Sequence, residues 1–321
     1  MGKRPSLVYQ IDQRFKGMFA YGESRHAAKE ALKAELKEQG IKYNPTIHRL
    51  PKIYSFNTMK NYRQVVFDFI KALKEEGIKV RYLEDITPEM AKSYLLSKQE
   101  RGYSPYSLSK DIAALNKFFD WNLTKREIGL QERSKKQITR SRLETKEDRK
   151  YNPRNWERHI TFARAFGVRR QSIYGGQFQV RASSVYRCKV DGRIYVAVVE
   201  KGGRFRNAPC LKKYEKYIKE MFPNMQEKEE EFTEPEFREH YKRARKAKEP
   251  FIFDRYTKKI DNHAFRGEYA RAYYNELCEQ KQSKGKEIKS DYRGYDGELV
   301  AEVSKALGHN RLSVVVDHYF R

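Results

Sequence analysis

Cysteine is scarce in this 321-residue chain, where Cys188, Cys210 and Cys278 are odd in number and far apart. Such usage excludes a disulfide framework and suits reduced thiols in the cytosol. Long apolar runs are missing too. Nothing approaches the roughly 18 consecutive residues of a membrane span, and the opening "MGKRPSLVYQ" lacks the apolar stretch of a secretory signal. The chain has no glycine-rich phosphate loop, no dinucleotide fingerprint after a strand, and no Cys or His pairs at zinc spacing, so neither a cofactor nor a metal is expected. Acidic residues are outnumbered: 43 Asp and Glu face 68 Lys and Arg, for a formal charge of +25. That excess calls for a polyanionic partner. Because the basic residues run through the chain and do not gather on one amphipathic helix, nucleic acid is expected and a membrane surface is not.

Apolar periodicity gives the organisation. The first fifty residues show one helical stretch, "SRHAAKEALKAELKEQG", and "NPTIHRLPKIYS" reads as a linker after it. Between Thr58 and Gly77, Met59, Tyr62, Val66, Phe69, Ile70 and Leu73 share one helical face. A second helix starts where Thr87 caps and Pro88 takes the first helical position, and a third runs from "SPYS" to Trp121. These aromatic residues keep helical register and are read as core. Residues 132–153 are basic and poor in apolar side chains, which makes them the best domain boundary. Beyond lies a helical segment, "HITFARAFGVRRQSI". In "VYRCKVDGRIYVAVVEKGGRFRNAPC" that follows, Asp191-Gly192 and Gly202-Gly203 turns separate strand-like runs, predicting a small antiparallel sheet. The remainder is helical in pattern, interrupted by the acidic "EKEEEFTEPE" and by residues 281–297, which have loop composition.

Chemistry-bearing residues then appear in order: Arg169 in "FGVRRQS", Lys201 in "VVEKGGRFR", His263 and Arg266 in "DNHAFRGEYA", and His309 and Tyr319 in the closing "LGHNRLSVVVDHYFR". His263 and Arg266, three apart on a helix, project from one face. Guanidinium groups match the charge of a phosphodiester transition state, a histidine assists the tyrosine hydroxyl, and a mobile lysine suits protonation of a departing oxygen. The set fits metal-free phosphoryl transfer from DNA to a tyrosine.

In this order the motifs resemble the tyrosine recombinase, or phage-integrase, family: Gly167-Val168-Arg169, Lys201-Gly202-Gly203-Arg204-Phe205-Arg206, His263-Ala264-Phe265-Arg266, Leu307-Gly308-His309 and Tyr319. The helices of residues 55–125 are similar to the family's core-binding domain. The resemblance implies a mainly α fold with a small antiparallel sheet. Residues 1–50 would be an N-terminal extension, 51–131 an all-helical core-binding domain, 132–152 a basic linker and 153–321 a mixed α+β catalytic domain. It implies a site-specific integrase of a mobile element or prophage, acting in the bacterial cytoplasm at the nucleoid on double-stranded DNA attachment sites. A homotetramer on DNA is implied, with a host bending protein or directionality factor as further partners. Tyr319 would form a 3′-phosphotyrosyl bond; Arg169 and Arg266 would clamp the phosphate; Lys201 would protonate the leaving 5′ oxygen; His263 would act as acid or base; His309 would hydrogen-bond the phosphate.

Several points depart from the family or stay open. Ser172 stands where the family has Glu, and Arg170 rivals Arg169. His318 beside Tyr319 is read as structural or solvent-facing. The interval from His309 to Tyr319 is one residue longer than usual, and that from Arg266 to His309 is also long, with the loop at 281–297 taking the excess. Only Phe320 and Arg321 follow Tyr319, where the family commonly has a docking helix; either assembly uses other surfaces or a neighbour positions Tyr319. Residues 1–50 are an arm-type DNA-binding extension or a helix packed on the core-binding domain. A type IB topoisomerase and a decayed DNA-binding scaffold are the rival functions.

Overall fold

The computed structural model describes residues 5–45, 47–134, 152–200, 202–257, 259–309 and 311–320. The chain divides into two compact units, Met1–Thr139 and Arg140–Arg321.

The first unit is helical. Two helices occupy its first fifty residues, where the sequence predicted one: α1 (Leu7–Met18) and α2 (Arg25–Glu38), capped by the hydroxyls of Ser6 and Ser24. The twelve-residue α1 is short, with Leu7, Ile11, Phe15 and Met18 at helical spacing along one face. It is nonetheless built into the core, with Ile11 and Phe15 buried and the ring of Phe15 4.6 Å from that of Phe118. Arg63 pairs with Asp12 of α1 at 2.9 Å. The stretch predicted as a linker is also tied down. Ile53 is buried and exchanges backbone bonds with the end of α1, donating to Met18 O at 2.7 Å and accepting from Ala20 N at 3.0 Å.

The predicted helical domain follows as α3 (Phe56–Glu75), α4 (Pro88–Glu100), α5 (Pro105–Phe119) and the single turn α6 (Lys125–Ile128). Thr87 caps α4 with Pro88 in its first turn, as the sequence indicates. Asp120 takes a left-handed conformation and ends α5 before Trp121. Val66, Phe69, Leu95, Leu115 and Phe118 form the centre of the core, and Lys98 pairs there with Asp111. Of the aromatic residues, Phe69, Tyr94 and Phe118 lie in the packed interior and Tyr62, Phe119 and Trp121 pack against it, whereas Phe56, Tyr82, Tyr103 and Tyr106 are exposed, contrary to the reading of them all as core.

Most of the predicted linker lies outside the described residues. The second unit opens with α7 (Glu157–Phe166) and the turn α8 (Arg170–Ile173). Strands β1 (Val185–Cys188), β2 (Ile194–Glu200) and β3 (Arg204–Pro209) form the expected antiparallel meander. A fourth strand, β4 (Gln226–Lys228), pairs parallel to β1, so the sheet is mixed, with the order β3-β2-β1-β4. It begins beside the acidic stretch predicted as an interruption. Charged side chains are tolerated at a sheet edge, where only the backbone must pair.

Between β3 and β4 lies α9 (Glu215–Met221), and β2 is buried along its whole length. On one face, Val196 and Val198 pack with Phe162 and Phe166 of α7; on the other, Tyr186 and Ala197 pack with Phe237 and Tyr241 of α10 (Glu234–Lys246). The long α11 (Asn262–Ser283), capped by Asp261, carries Tyr269 and Tyr273 into a third cluster with α12 (Gly297–Ala306) and α13 (Leu312–Val315). The chain then widens into a π turn over Val316–Phe320.

Candidate active site

Gly167 ends α7 in a left-handed conformation with φ +57°, and a Cβ there would come within 2.4 Å of the Tyr269 ring. Only glycine allows that approach. The bend turns the Gly167 carbonyl toward two guanidiniums, accepting from Arg206 Nη2 at 3.2 Å and from Arg266 Nη1. Two residues on, Arg169 takes the N-cap position of α8.

Glu200, at the end of β2, joins the cations. One carboxylate oxygen accepts from Arg169 N at 2.6 Å and Ser172 Oγ at 3.2 Å. The other accepts from Arg169 Nη1 at 2.7 Å, Arg206 Nε at 3.2 Å and Arg266 Nη1 at 3.4 Å. Burial raises the proton affinity of Glu200, but the guanidiniums of Arg206, Arg266 and Arg169 outweigh it and hold the carboxyl well below the usual carboxylate range. The last carbonyls of α12 complete the cage, Ala306 O accepting from Arg206 Nη1 and Leu307 O from Arg266 Nη2. A helix C-terminus is electronegative and favours cations at that position. The Arg266 and Arg206 side chains are only 1% and 3% exposed, whereas Arg169 is 21% exposed. Arg169 is thus the most open to solvent of the three guanidiniums.

Gly308, with φ +65°, releases the chain from α12. Ser304 then fixes His309 twice, its carbonyl accepting from His309 N at 2.8 Å and its hydroxyl donating to His309 O at 2.6 Å. Burial, reinforced by Arg266, Arg169 and Arg206, lowers the imidazole pKa to about 3. His309 is thus neutral at pH 7. Its Nε2 lies 3.4 Å from the hydroxyl of Tyr319, which is also 3.4 Å from Arg266 Nε. A cavity of about 420 Å³ opens beside this group, lined in part by Arg206, Ser304, Gly308 and His309.

Four predicted site residues, Arg169, Arg266, His309 and Tyr319, converge. His263 stands exposed in the first turn of α11, one turn from the buried Arg266. Lys201 lies outside the described residues. Arg170 is exposed and places its guanidinium over the Tyr256 ring, 5.5 Å from its centroid. His318 is exposed. The sequence reading assigned no role to Glu200 or Arg206, although Arg206 closes the Lys201 motif. Ser172 was the available signal: it stands where a carboxylate was expected, and its hydroxyl donates to Glu200 at 3.2 Å. Among the described residues no group of His, Cys, Asp or Glu side chains is arranged to hold a metal.

Residues 49–126 match the family model of the phage integrase N-terminal SAM-like domain. This segment is similar to a phage-integrase N-terminal domain. A comparison with curated proteins gave no match. The match takes in α3, α4, α5 and the start of α6, the helices whose apolar faces make the first core. The likeness is to the N-terminal domain of phage integrases, which are tyrosine recombinases, and it is confined to these residues. The arginine, histidine and tyrosine cluster lies C-terminal to the matched integrase segment. Among the described residues, no helix is long and apolar enough to cross a membrane.

Proposed function

We propose that the protein is a site-specific DNA recombinase of a mobile element or prophage, with residues 51–131 gripping DNA and residues 153–321 carrying the chemistry. One observation carries the reading: the Tyr319 hydroxyl is 3.4 Å from both Arg266 Nε and His309 Nε2. In the proposed step Tyr319 Oη attacks the scissile phosphorus, the bond from phosphorus to the 5′ oxygen breaks, and a 3′-phosphotyrosyl ester forms. Arg169 and Arg266 hold the non-bridging oxygens, where charge grows in the transition state. His309 is too weak a base to take the tyrosine proton, so it donates a hydrogen bond to the phosphate. His263 serves as acid or base, and Lys201 gives its proton to the departing 5′ oxygen. Attack by a 5′ hydroxyl of a second duplex reverses the step and exchanges strands, within a tetramer on attachment-site DNA.

The net charge of +25 supports a DNA substrate. The test uses a pool of nicked duplexes with a randomised central segment, in which the cleaved strand falls away and traps the enzyme. Adduct that survives detergent and disappears in Tyr319→Phe, with DNA binding retained, is the expected result. Adduct persisting in that variant overturns the nucleophile. Binding with no adduct in the unaltered chain overturns the enzyme and leaves a DNA-binding scaffold. Relaxation of supercoils without strand exchange identifies a type IB topoisomerase instead.

A further inference from the structure

Residues 284–296 link α11 to α12 within the stretch 281–297 expected to take up the long interval from Arg266 to His309, a stretch whose first three residues instead end α11. Arg293 and Gly294 both have positive φ, 53° and 85°. Tyr292 and Tyr295 exchange backbone bonds of 2.9 and 3.0 Å around them. This is a two-residue hairpin turn of the left-handed kind, for which arginine is a costly choice at the first central position. The base of the segment is fixed by buried Asp296, which accepts from Lys281 Nζ at 2.7 Å and Lys289 N at 3.0 Å, while its own N–H donates to the Tyr274 hydroxyl at 2.9 Å.

The tip reaches the π turn. Arg293 Nη1 lies 2.9 Å from Asp317 Oδ1. The rings of Tyr295 and Tyr274 pack on Phe320 at 4.9 and 5.0 Å, and the Tyr295 hydroxyl donates to Phe320 O at 3.4 Å. From α11, Arg271 Nη1 donates to Tyr319 O at 2.8 Å. Contacts thus fall on Asp317, two residues before Tyr319, on Phe320 after it and on the Tyr319 carbonyl, leaving its hydroxyl to Arg266 and His309.

We propose that residues 284–296 are a brace that sets the position of Tyr319, with Arg293 as its positioning residue. The proposal rests on the nucleophile role given to Tyr319 above. A strained turn residue spent on a contact to a reactive segment is an expected use of backbone strain. Arg293 is 48% exposed, so its ion pair adds little to fold stability and can be removed without unfolding the unit.

The test compares the full chain with Arg293→Ala, Arg293→Lys and the exchanged pair Arg293→Asp with Asp317→Arg. Two readouts are taken: adduct formation from the nicked pool at saturating DNA, and the fluorine resonance of 3-fluorotyrosine replacing Tyr319, recorded without DNA. Expected is a roughly tenfold slower adduct step in Arg293→Ala with unchanged DNA affinity, recovery in Arg293→Lys and the exchanged pair, and a narrowed, shifted fluorine signal in the alanine variant alone. An unchanged rate together with an unchanged fluorine signal overturns the brace. If the unaltered chain gives no adduct but the fluorine signal still responds to Arg293→Ala, the recombinase reading falls and the brace stands.

Discussion

His309 Nε2 and the Tyr319 hydroxyl lie 3.4 Å apart within one chain. Each compact unit that holds the arginines thus also holds its own tyrosine, and under the proposed function cleavage in cis is the expectation. Mixing Tyr319→Phe with Arg266→Ala on trapping duplexes should then restore no adduct. Recovery in the mixture would mean that a neighbour supplies the tyrosine.

Glu200 is the single carboxylate among three guanidiniums, and Glu200→Gln leaves their charges uncompensated in a buried site. Removing one partner of such a group costs about 3 to 5 kcal/mol, to be read as a lowered urea midpoint for the second unit. The pH sense follows from the depressed folded-state pKa of Glu200. Its contribution is complete above the ordinary carboxylate pKa of about 4.3 and is lost only as pH falls through the lower folded value.

His309 acts over a different pH window. Its folded pKa falls from 6.5 to about 3. The unfolded chain binds a proton below pH 6.5 that the folded chain refuses until about pH 3, so stability drops as pH falls across that interval. His309→Gln should flatten the decline between pH 7.5 and 5 in urea titrations. Identical slopes for the two proteins would refute the buried, neutral imidazole.

Gly167 and Gly308 should respond unequally to alanine. At Gly167 the new Cβ meets the Tyr269 ring at 2.4 Å, whereas at Gly308 it meets Arg206 Cδ at 3.1 Å, in a flexible side chain. We expect a loss of about 3 kcal/mol or more for Gly167→Ala and about 1 to 2 kcal/mol for Gly308→Ala, measured by denaturant unfolding.

The π turn bears on the long spacing between His309 and Tyr319. A π turn holds one residue more than an α turn, and such insertions gather at functional sites. Deleting the exposed His318 should convert the turn to α-helix, keep Tyr319 on the same face and preserve adduct formation. Inserting an alanine after His318 should abolish it. Equal loss in both variants would separate the turn from the spacing.

Arg169, Arg266, His309 and Tyr319 were legible because each sits in a short motif whose spacing is local. Glu200 was not, because its role arises only when the end of β2, beside the adjoining β3, is brought against α8 and α11, segments far from it in the chain. The α3, α4 and α5 helices announced themselves through long apolar faces and caps. By contrast, α1 has only a few inward residues, and β4 has an edge position that asks nothing of its side chains. The one-residue excess before Tyr319 was visible as a number, but its solution as a π turn depends on the packing of Phe320 and Val316.

The family match begins at residue 49, yet Ile11 and Phe15 of α1 are sealed into the same core as Phe69 and Phe118. Burying two such side chains contributes about 3 to 6 kcal/mol. The matched segment and the folding unit therefore have different edges. A fragment cut at the segment's edge would expose the underside of α5 to water, and a domain exchanged between relatives would have to carry α1 and the Ile53 contact with it.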